Sequence, residues 1–209
     1  MTSVRNRIGL LLAASVLLAV SACTEANNGS PTPTPSESGP PTTGSSGTPT
    51  VPVPDRPKDL PVNGLEACSL LTEGQRQELT VSRTRDTVNG SEHYNGASEC
   101  VLEVNKAGTS YSYRLLLATN EDVSEWLTGT RNVEATLVSV VGYPAVRYYL
   151  RGSTDEQSSG CSTSVGVASG QEVVASHREG TDALFTRDEM CAMSQRVAEL
   201  AVTTLQGLK

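Results

Sequence analysis

The sequence predicts an α+β domain in which a mostly antiparallel sheet packs against a long C-terminal helix and short helices, with two disulfides. Short segments of alternating apolar and polar residues, separated by turn residues, run from Cys100 to Arg178, which is typical of strands. The end of the chain carries apolar residues at helical spacing instead. Four of the five cysteines follow residue 62 and form an even set. Strands flanked and followed by helices indicate the α+β class.

Residues 1–22 have the three parts of an export signal. Arg5 and Arg7 form a positive region, Ile8–Val20 is an apolar run of thirteen residues, and small residues precede a cleavage point. Such a run is too short to cross a bilayer, which takes about 20 residues. The tetrapeptide Val20–Cys23 resembles a bacterial lipobox, whose cysteine is acylated, for example by palmitate. We expect a signal peptide over 1–22 and a lipid on Cys23; an ordinary signal peptide with an incidental cysteine is the alternative.

Residues 23–62 are predicted to form a disordered tether behind that cysteine. Ten of the eleven prolines lie between Thr24 and Val62, and no aromatic residue does. Such a segment cannot bury enough apolar surface to offset its ordering entropy. The predicted organisation is therefore a single domain over 63–209, lipid-anchored to the outer face of the cytoplasmic membrane in the cell envelope.

The charge of the chain restricts its partners. The net charge is −7, and no cluster of basic residues occurs along the sequence. Nucleic acid is therefore not expected as a partner, because binding it requires a basic surface. The expected partners are the membrane, through the lipid on Cys23, and an unknown envelope protein or a small hydrophobic ligand.

The first element of the domain is a short helix. Thr72 and Gln75 have the spacing of a capping box, which predicts a helix that ends at about Leu79. The following stretch, Thr84–Glu99, is polar and contains two Asn-Gly turn signals, so no strand is expected in it.

Six strands are predicted from alternation and turns. They are Cys100–Val104 and Tyr111–Thr119, Ala135–Val141 and Ala145–Arg151, and Cys161–Ser169 and Gln171–Arg178. The first two should form a hairpin, and a short helix ending at Gly129 should follow them. In the fifth strand Cys161, Thr163, Val165 and Val167 share one face.

The last helix is the clearest element. Thr186 and Glu189 form a second capping box. Cys191 lies in the first turn beside the apolar stripe, placed to join the helix to the strand that begins at Cys161. The stripe consists of Met190, Met193, Val197, Leu200, Ala201, Thr204 and Leu208.

The domain cysteines are expected to form disulfides, since the chain is exported. The four residues are Cys68, Cys100, Cys161 and Cys191. They allow three pairings, among which sequence alone does not choose. We favour the pairs Cys68–Cys100 and Cys161–Cys191, because the two loops are then of similar length. A metal site is the alternative, but the spacing lacks the close pairs typical of zinc.

Several segments, taken in order, resemble a known family. They are Glu66–Thr72 (EACSLLT), the EC before the strand at Cys100, Val140–Val146 (VVGYPAV), Cys161–Val167 (CSTSVGV) and Cys191–Leu205. They resemble actinobacterial lipoproteins that carry the domain of unknown function 3558, over nearly all of residues 63–209. Leu102 stands where that family has an aromatic residue. The resemblance implies location and fold, and it supplies no catalytic residue.

Enzyme signatures are weak, so the protein is predicted not to be an enzyme. No G-x-S-x-G elbow occurs. The two histidines, His93 and His177, are expected at the surface. The acidic pairs Glu121-Asp122, Asp155-Glu156 and Asp188-Glu189 are expected to be solvated rather than to act as acid and base. No cofactor and no metal are expected.

Two aromatic residues are the candidates for ligand or partner contact. Tyr143 follows a glycine at a predicted turn, and Trp126 is the only tryptophan. Aromatic residues on loops can bind a ligand or anchor an interface, although they can also simply fill a core. The predicted function is a non-enzymatic binding or interaction module. The alternatives are a carrier or sensor of a small hydrophobic ligand and, with least support, a cell-wall hydrolase.

Overall fold

A single antiparallel sheet organises the molecule. The computed structural model describes residues 51–106, 108–154, 160–179 and 185–208. Seven strands lie in the order β1-β2-β3-β7-β6-β5-β4, and every neighbouring pair is antiparallel. The strands are β1 Arg83–Val88, β2 Ser98–Lys106, β3 Thr109–Ala118, β4 Val133–Val140, β5 Tyr143–Leu150, β6 Gly160–Ala168 and β7 Gln171–Glu179. With the helices described next, the sheet confirms the predicted α+β class.

Two α-helices and two 3-10 helices accompany the sheet. They are α1 Glu73–Glu78, α2 Arg187–Leu208, and the 3-10 helices Ala67–Leu70 and Val123–Leu127. Both predicted capping boxes are present. Thr72 Oγ1 accepts from the Gln75 backbone N–H at 3.3 Å. Glu189 Oε2 accepts from the Thr186 backbone N–H at 2.8 Å, which satisfies a donor that a helix N-terminus leaves free.

We call the side of the sheet that packs against α2 the helix face. Both predicted disulfides, Cys68–Cys100 and Cys161–Cys191, are confirmed, and each joins a strand to a segment lying on this face. Thr163 and Ser194 add a hydroxyl contact of 3.0 Å between β6 and α2. The helix face also carries Tyr113, Leu115 and Leu117 of β3, with Tyr111 packed against the same core.

The opposite side of the sheet is covered by the connection between β3 and β4. β3 is the third strand of the sheet and β4 is at its far edge, so the chain must pass over three strands. We call residues 119–132 the crossover and the side on which they lie the crossover face. The crossover contains the 3-10 helix Val123–Leu127, and Val123 packs onto Gly166 of β6 so closely that a Cβ on Gly166 would lie 2.9 Å from Val123 Cγ1.

Two parts of the structure differ from expectation. The polar stretch 84–99 contains most of β1, an edge strand whose hydrogen bonds come from β2 and whose side chains are largely exposed. The expected tether ended at Val62, whereas Leu60 and Val62 are buried core residues, and Leu60 N donates to Val167 O at 2.7 Å. The packed chain thus includes apolar residues that lie among the prolines of the expected tether.

The predicted signal peptide, Cys23 and most of the tether lie outside the described residues. Within the residues that are described, no helix has the length and apolar character needed to cross a membrane.

Candidate functional site

Tyr143 is a core residue. The turn between β4 and β5 is formed by Val141 and Gly142, both at positive φ, so Tyr143 already belongs to β5 and faces α2. It is 1% exposed, and its hydroxyl has no hydrogen-bond partner among the described residues. The prediction that Tyr143 contacts a ligand or partner does not fit this burial, because its side chain cannot be reached from the surface.

Trp126 lies in the crossover and is held by three contacts. Its indole stacks on Tyr148 with ring centroids 3.8 Å apart, and the Arg131 guanidinium lies 4.1 Å from its centroid. Nε1 donates to Glu172 Oε2 at 3.2 Å. Trp126 also borders an open groove of about 320 Å³, whose other apolar lining residues are Val51, Leu127, Val133, Ala135 and Leu137.

Glu172 is a fully buried acid on the crossover face of β7. Its Oε2 accepts from Trp126 and from the hydroxyl of Ser164, whereas Oε1 has no hydrogen-bond partner among the described residues. Burial, together with the nearby charge of Glu121, raises the pKa of Glu172 to about 8. The carboxyl is therefore neutral at neutral pH, and it ties the crossover to the centre of the sheet.

Glu121 is a second buried acid in the crossover, contrary to the expectation that it is solvated. Its side chain is 1% exposed and accepts from Arg131 and from the Tyr94 hydroxyl, and its Oε1 lies 3.1 Å from His93 Nε2. His93 lies at the surface as predicted. These contacts join the loop between β1 and β2 to the crossover.

The other acidic pairs behave differently. Asp188 and Glu189 are exposed, in agreement with expectation, whereas Asp155 and Glu156 lie outside the described residues.

His177 is buried on the helix face, so the prediction of a surface residue is wrong. It lies on β7 among aromatic rings, with centroid distances of 5.2 Å to Tyr111 and 5.4 Å to Phe185. Neither ring nitrogen has a hydrogen-bond partner among the described residues. Burial lowers the pKa of His177 to about 4, which keeps the ring neutral. β7 is the central strand, and most of its length is covered on both faces; for this reason Glu172, Ser176 and His177 are buried, whereas Arg178 near its end is exposed.

The buried acids do not form an accessible catalytic pair. Glu121 and Glu172 have different environments, a pattern often seen in acid–base catalysis. However, both are buried, so a substrate cannot reach either carboxyl in this arrangement. Among the described residues no group of three or more His, Cys, Asp or Glu side chains is placed to hold a metal ion.

Four arginines gather on the half of the crossover face that the crossover leaves open. We call them the arginine surface; they are Arg83 and Arg85 of β1, Arg114 of β3 and Arg178 of β7. Arg85 and Arg114 lie in one row on either side of Val101. At the usual strand spacing their Cα atoms are roughly 10 Å apart. Sequence reasoning missed this surface, because its members lie far apart in the chain and only the sheet order brings them together.

Arg85 and Arg114 have acidic neighbours. Arg114 contacts Glu99 at 3.1 Å, and Arg85 contacts Glu103 at 3.7 Å. For Arg83 and Arg178, no ion pair occurs with any described residue. The surface thus carries positive charge on an acidic chain.

These features define a disulfide-bridged α+β domain with one sheet face sealed by a helix and the other only partly covered. Residues 18–204 match the model of a family described as "Protein of unknown function (DUF3558)", and the chain belongs to that family. No curated protein and no solved structure matches the chain.

Proposed function

We propose that this protein is a lipoprotein of the bacterial cell envelope, anchored through Cys23 to the outer face of the cytoplasmic membrane. We further propose that its domain is a non-enzymatic module that binds an acidic surface of an envelope protein. The export signal and the cysteine that ends it support the anchor. The arginine surface is the observation that supports the binding role.

The arginine surface has the properties of an interaction site. Arginine is enriched at protein interfaces, since its planar guanidinium binds carboxylates through two parallel hydrogen bonds. The net charge of the chain is −7, so an acidic partner would be repelled elsewhere and attracted here. Arg83 and Arg178 are exposed, and neither forms an ion pair with a described residue; Glu103, which lies opposite Arg83 in the sheet, contacts Arg85 instead. The guanidinium donors of Arg83 and Arg178 are therefore available to a partner.

The anchor is tested by Cys23→Ala. The variant should move from the membrane fraction to the soluble fraction of cells, because the thiol that would carry the lipid is absent. Thr24→Ala, the matched control one residue further on, should stay with the membrane. Equal membrane retention of both variants would contradict the anchor.

The binding role is tested by site-specific photo-crosslinking in intact cells. A crosslinking residue at Ser112, which lies beside Arg178 within the arginine surface, should give an adduct of defined mass. The same crosslinking residue placed at Thr203, an exposed position on α2, should give no such adduct. Reversing charge with Arg83→Glu and Arg178→Glu should abolish the Ser112 adduct, whereas Lys58→Glu should preserve it. Equal adducts at both positions, or adducts insensitive to charge reversal, would contradict the proposal.

Carriage of a small hydrophobic ligand is the alternative, and the apolar groove beside Trp126 favours it. Native mass spectrometry of the chain purified from its host would then show extra mass that disappears on denaturation. Ala135→Phe, which fills the groove, should remove that mass. If the native mass spectrum showed the polypeptide without extra mass, ligand carriage would be contradicted, and binding through the arginine surface would be the proposal that is retained.

A further inference from the structure

Beneath the apolar packing of Val123, Trp126 and Leu127 on the sheet, one carboxyl, that of Glu172, forms the polar contact between the crossover and β7. The Trp126 indole N–H and the Ser164 hydroxyl both donate to Oε2. Oε1 is buried and has no described partner, so ionisation of Glu172 would place charge on an oxygen that receives no hydrogen bond in the closed arrangement.

Apart from the two donors to Oε2, the groups that face Glu172 offer no compensation for a negative charge. The crossover contributes the acids Glu121 and Asp122, and their charges oppose ionisation of Glu172. The guanidinium of Arg131 contacts Glu121 instead, and so does the ring of His93. No ion pair to Glu172 occurs among the described residues.

The strands and the neighbouring loop add only neutral groups. These are Ser164 of β6, Tyr148 of β5 and Tyr94 of the loop between β1 and β2. Burial raises the pKa of Tyr148 and of Tyr94 well above the ordinary value, so neither phenol ionises near neutral pH. The two hydrogen bonds to Oε2 favour the charged form of Glu172, but burial outweighs them and the pKa is about 8.

An ionised Glu172 needs water or a cation at Oε1, but the crossover covers this oxygen and blocks the access of either. The covering segment is a five-residue 3-10 helix, which lacks the cooperativity of a long α-helix. We propose that Glu172 is a proton-operated latch: the protonated carboxyl holds the crossover closed on the sheet, and loss of the proton releases the crossover and exposes Trp126. Release would uncover the apolar ring of Tyr148 beneath the indole.

Trp126 gives a direct measurement, because it is the only tryptophan. Emission and iodide quenching of the full chain are recorded from about pH 6 to about pH 10 at constant ionic strength. The latch predicts a red shift and a several-fold rise in the quenching constant as pH rises towards the pKa of Glu172, about 8, and no further change above it. Far-UV circular dichroism should stay constant, since only the crossover moves.

Two variants separate the latch from a merely structural contact. Glu172→Gln stays neutral and should keep Trp126 protected throughout the range. Glu121→Gln removes a neighbouring negative charge that raises the pKa of Glu172 in the closed arrangement, so ionisation costs less there and the rise in quenching at alkaline pH should be smaller. A transition that persists in Glu172→Gln would overturn the latch. So would a flat titration of the unmodified chain, or loss of all secondary structure over the same pH range.

Discussion

The two faces of the sheet are covered in different ways. On the helix face a 22-residue helix packs against apolar side chains, and both disulfides lie there. On the crossover face a five-residue 3-10 helix packs on a smaller apolar cluster and makes a polar contact to Glu172, and part of the sheet stays open. The comparison indicates that stability comes mainly from one face. The other face is free to carry binding surfaces and titratable contacts.

Removing a disulfide should have the largest effect and should act on the helix face alone. Cys161→Ala with Cys191→Ala opens a loop of 30 residues, and the chain-entropy model gives a loss of about 3 to 4 kcal/mol. Cys68→Ala with Cys100→Ala should cost about as much, since its separation is 32. Urea unfolding measures both. Native-state Trp126 emission should not change, and a red shift before unfolding would show that the two faces are coupled.

A smaller loss in the free energy of unfolding is expected when a substitution in β6 displaces the crossover from the sheet. Gly166→Ala places a Cβ 2.9 Å from Val123 Cγ1, and Val is too stiff to move away freely. Such overpacking costs typically about 1 to 3 kcal/mol. The control is Gly74→Ala in α1, where a Cβ meets nothing within 4 Å and should stabilise the protein slightly. Equal unfolding free energies for the two variants would show that the crossover is not packed tightly.

The free energy of unfolding should also depend on pH, and the dependence should have opposite signs for the buried group on each face, which is His177 on the helix face and Glu172 on the crossover face. The pKa of His177 is lowered from 6.5 to about 4, so the unfolded state takes up the proton first as pH falls. Its contribution to stability is complete above about pH 6.5 and is lost towards pH 4. The pKa of Glu172 is raised from 4.5 to about 8, so its contribution is complete below pH 4.5 and is lost as pH rises towards 8.

Urea unfolding of His177→Phe and Glu172→Gln over this pH range isolates the two groups. Each difference between unmodified chain and variant should change by at most about 1.4 kcal/mol per pH unit. The difference should rise with pH for His177 and fall with pH for Glu172. Curves that run parallel to the unmodified chain would show that these residues do not titrate differently on folding.

The helix face could be predicted from the sequence because its signals are local. Alternation in β3, the capping box at Thr186 and the position of Cys191 each depend on residues close in the chain. The pairing with Cys161 followed from that helix and from the strand predicted before it.

The crossover face could not be predicted, because it depends on contacts between distant residues. Trp126 and Glu172 are 46 positions apart, and they meet only because β7 lies beside β3. Nothing local distinguishes Glu172 from a solvated acid. The one available signal was the run Val173–Ala175, which places apolar residues on both faces of β7. Such a run is compatible with a central strand that is covered on both faces.

The smallest effect on stability is expected on the open part of the crossover face. Arg83 is exposed and forms no ion pair with a described residue, so Arg83→Gln should change the free energy of unfolding by less than about 0.5 kcal/mol. Arg131→Gln is the contrasting variant, because it leaves the buried Glu121 without its guanidinium and should cost clearly more. Urea unfolding compares the two. If Arg83→Gln destabilised as strongly as Arg131→Gln, Arg83 would be holding the sheet together. The arginine surface would then lose a member that is free to bind a partner.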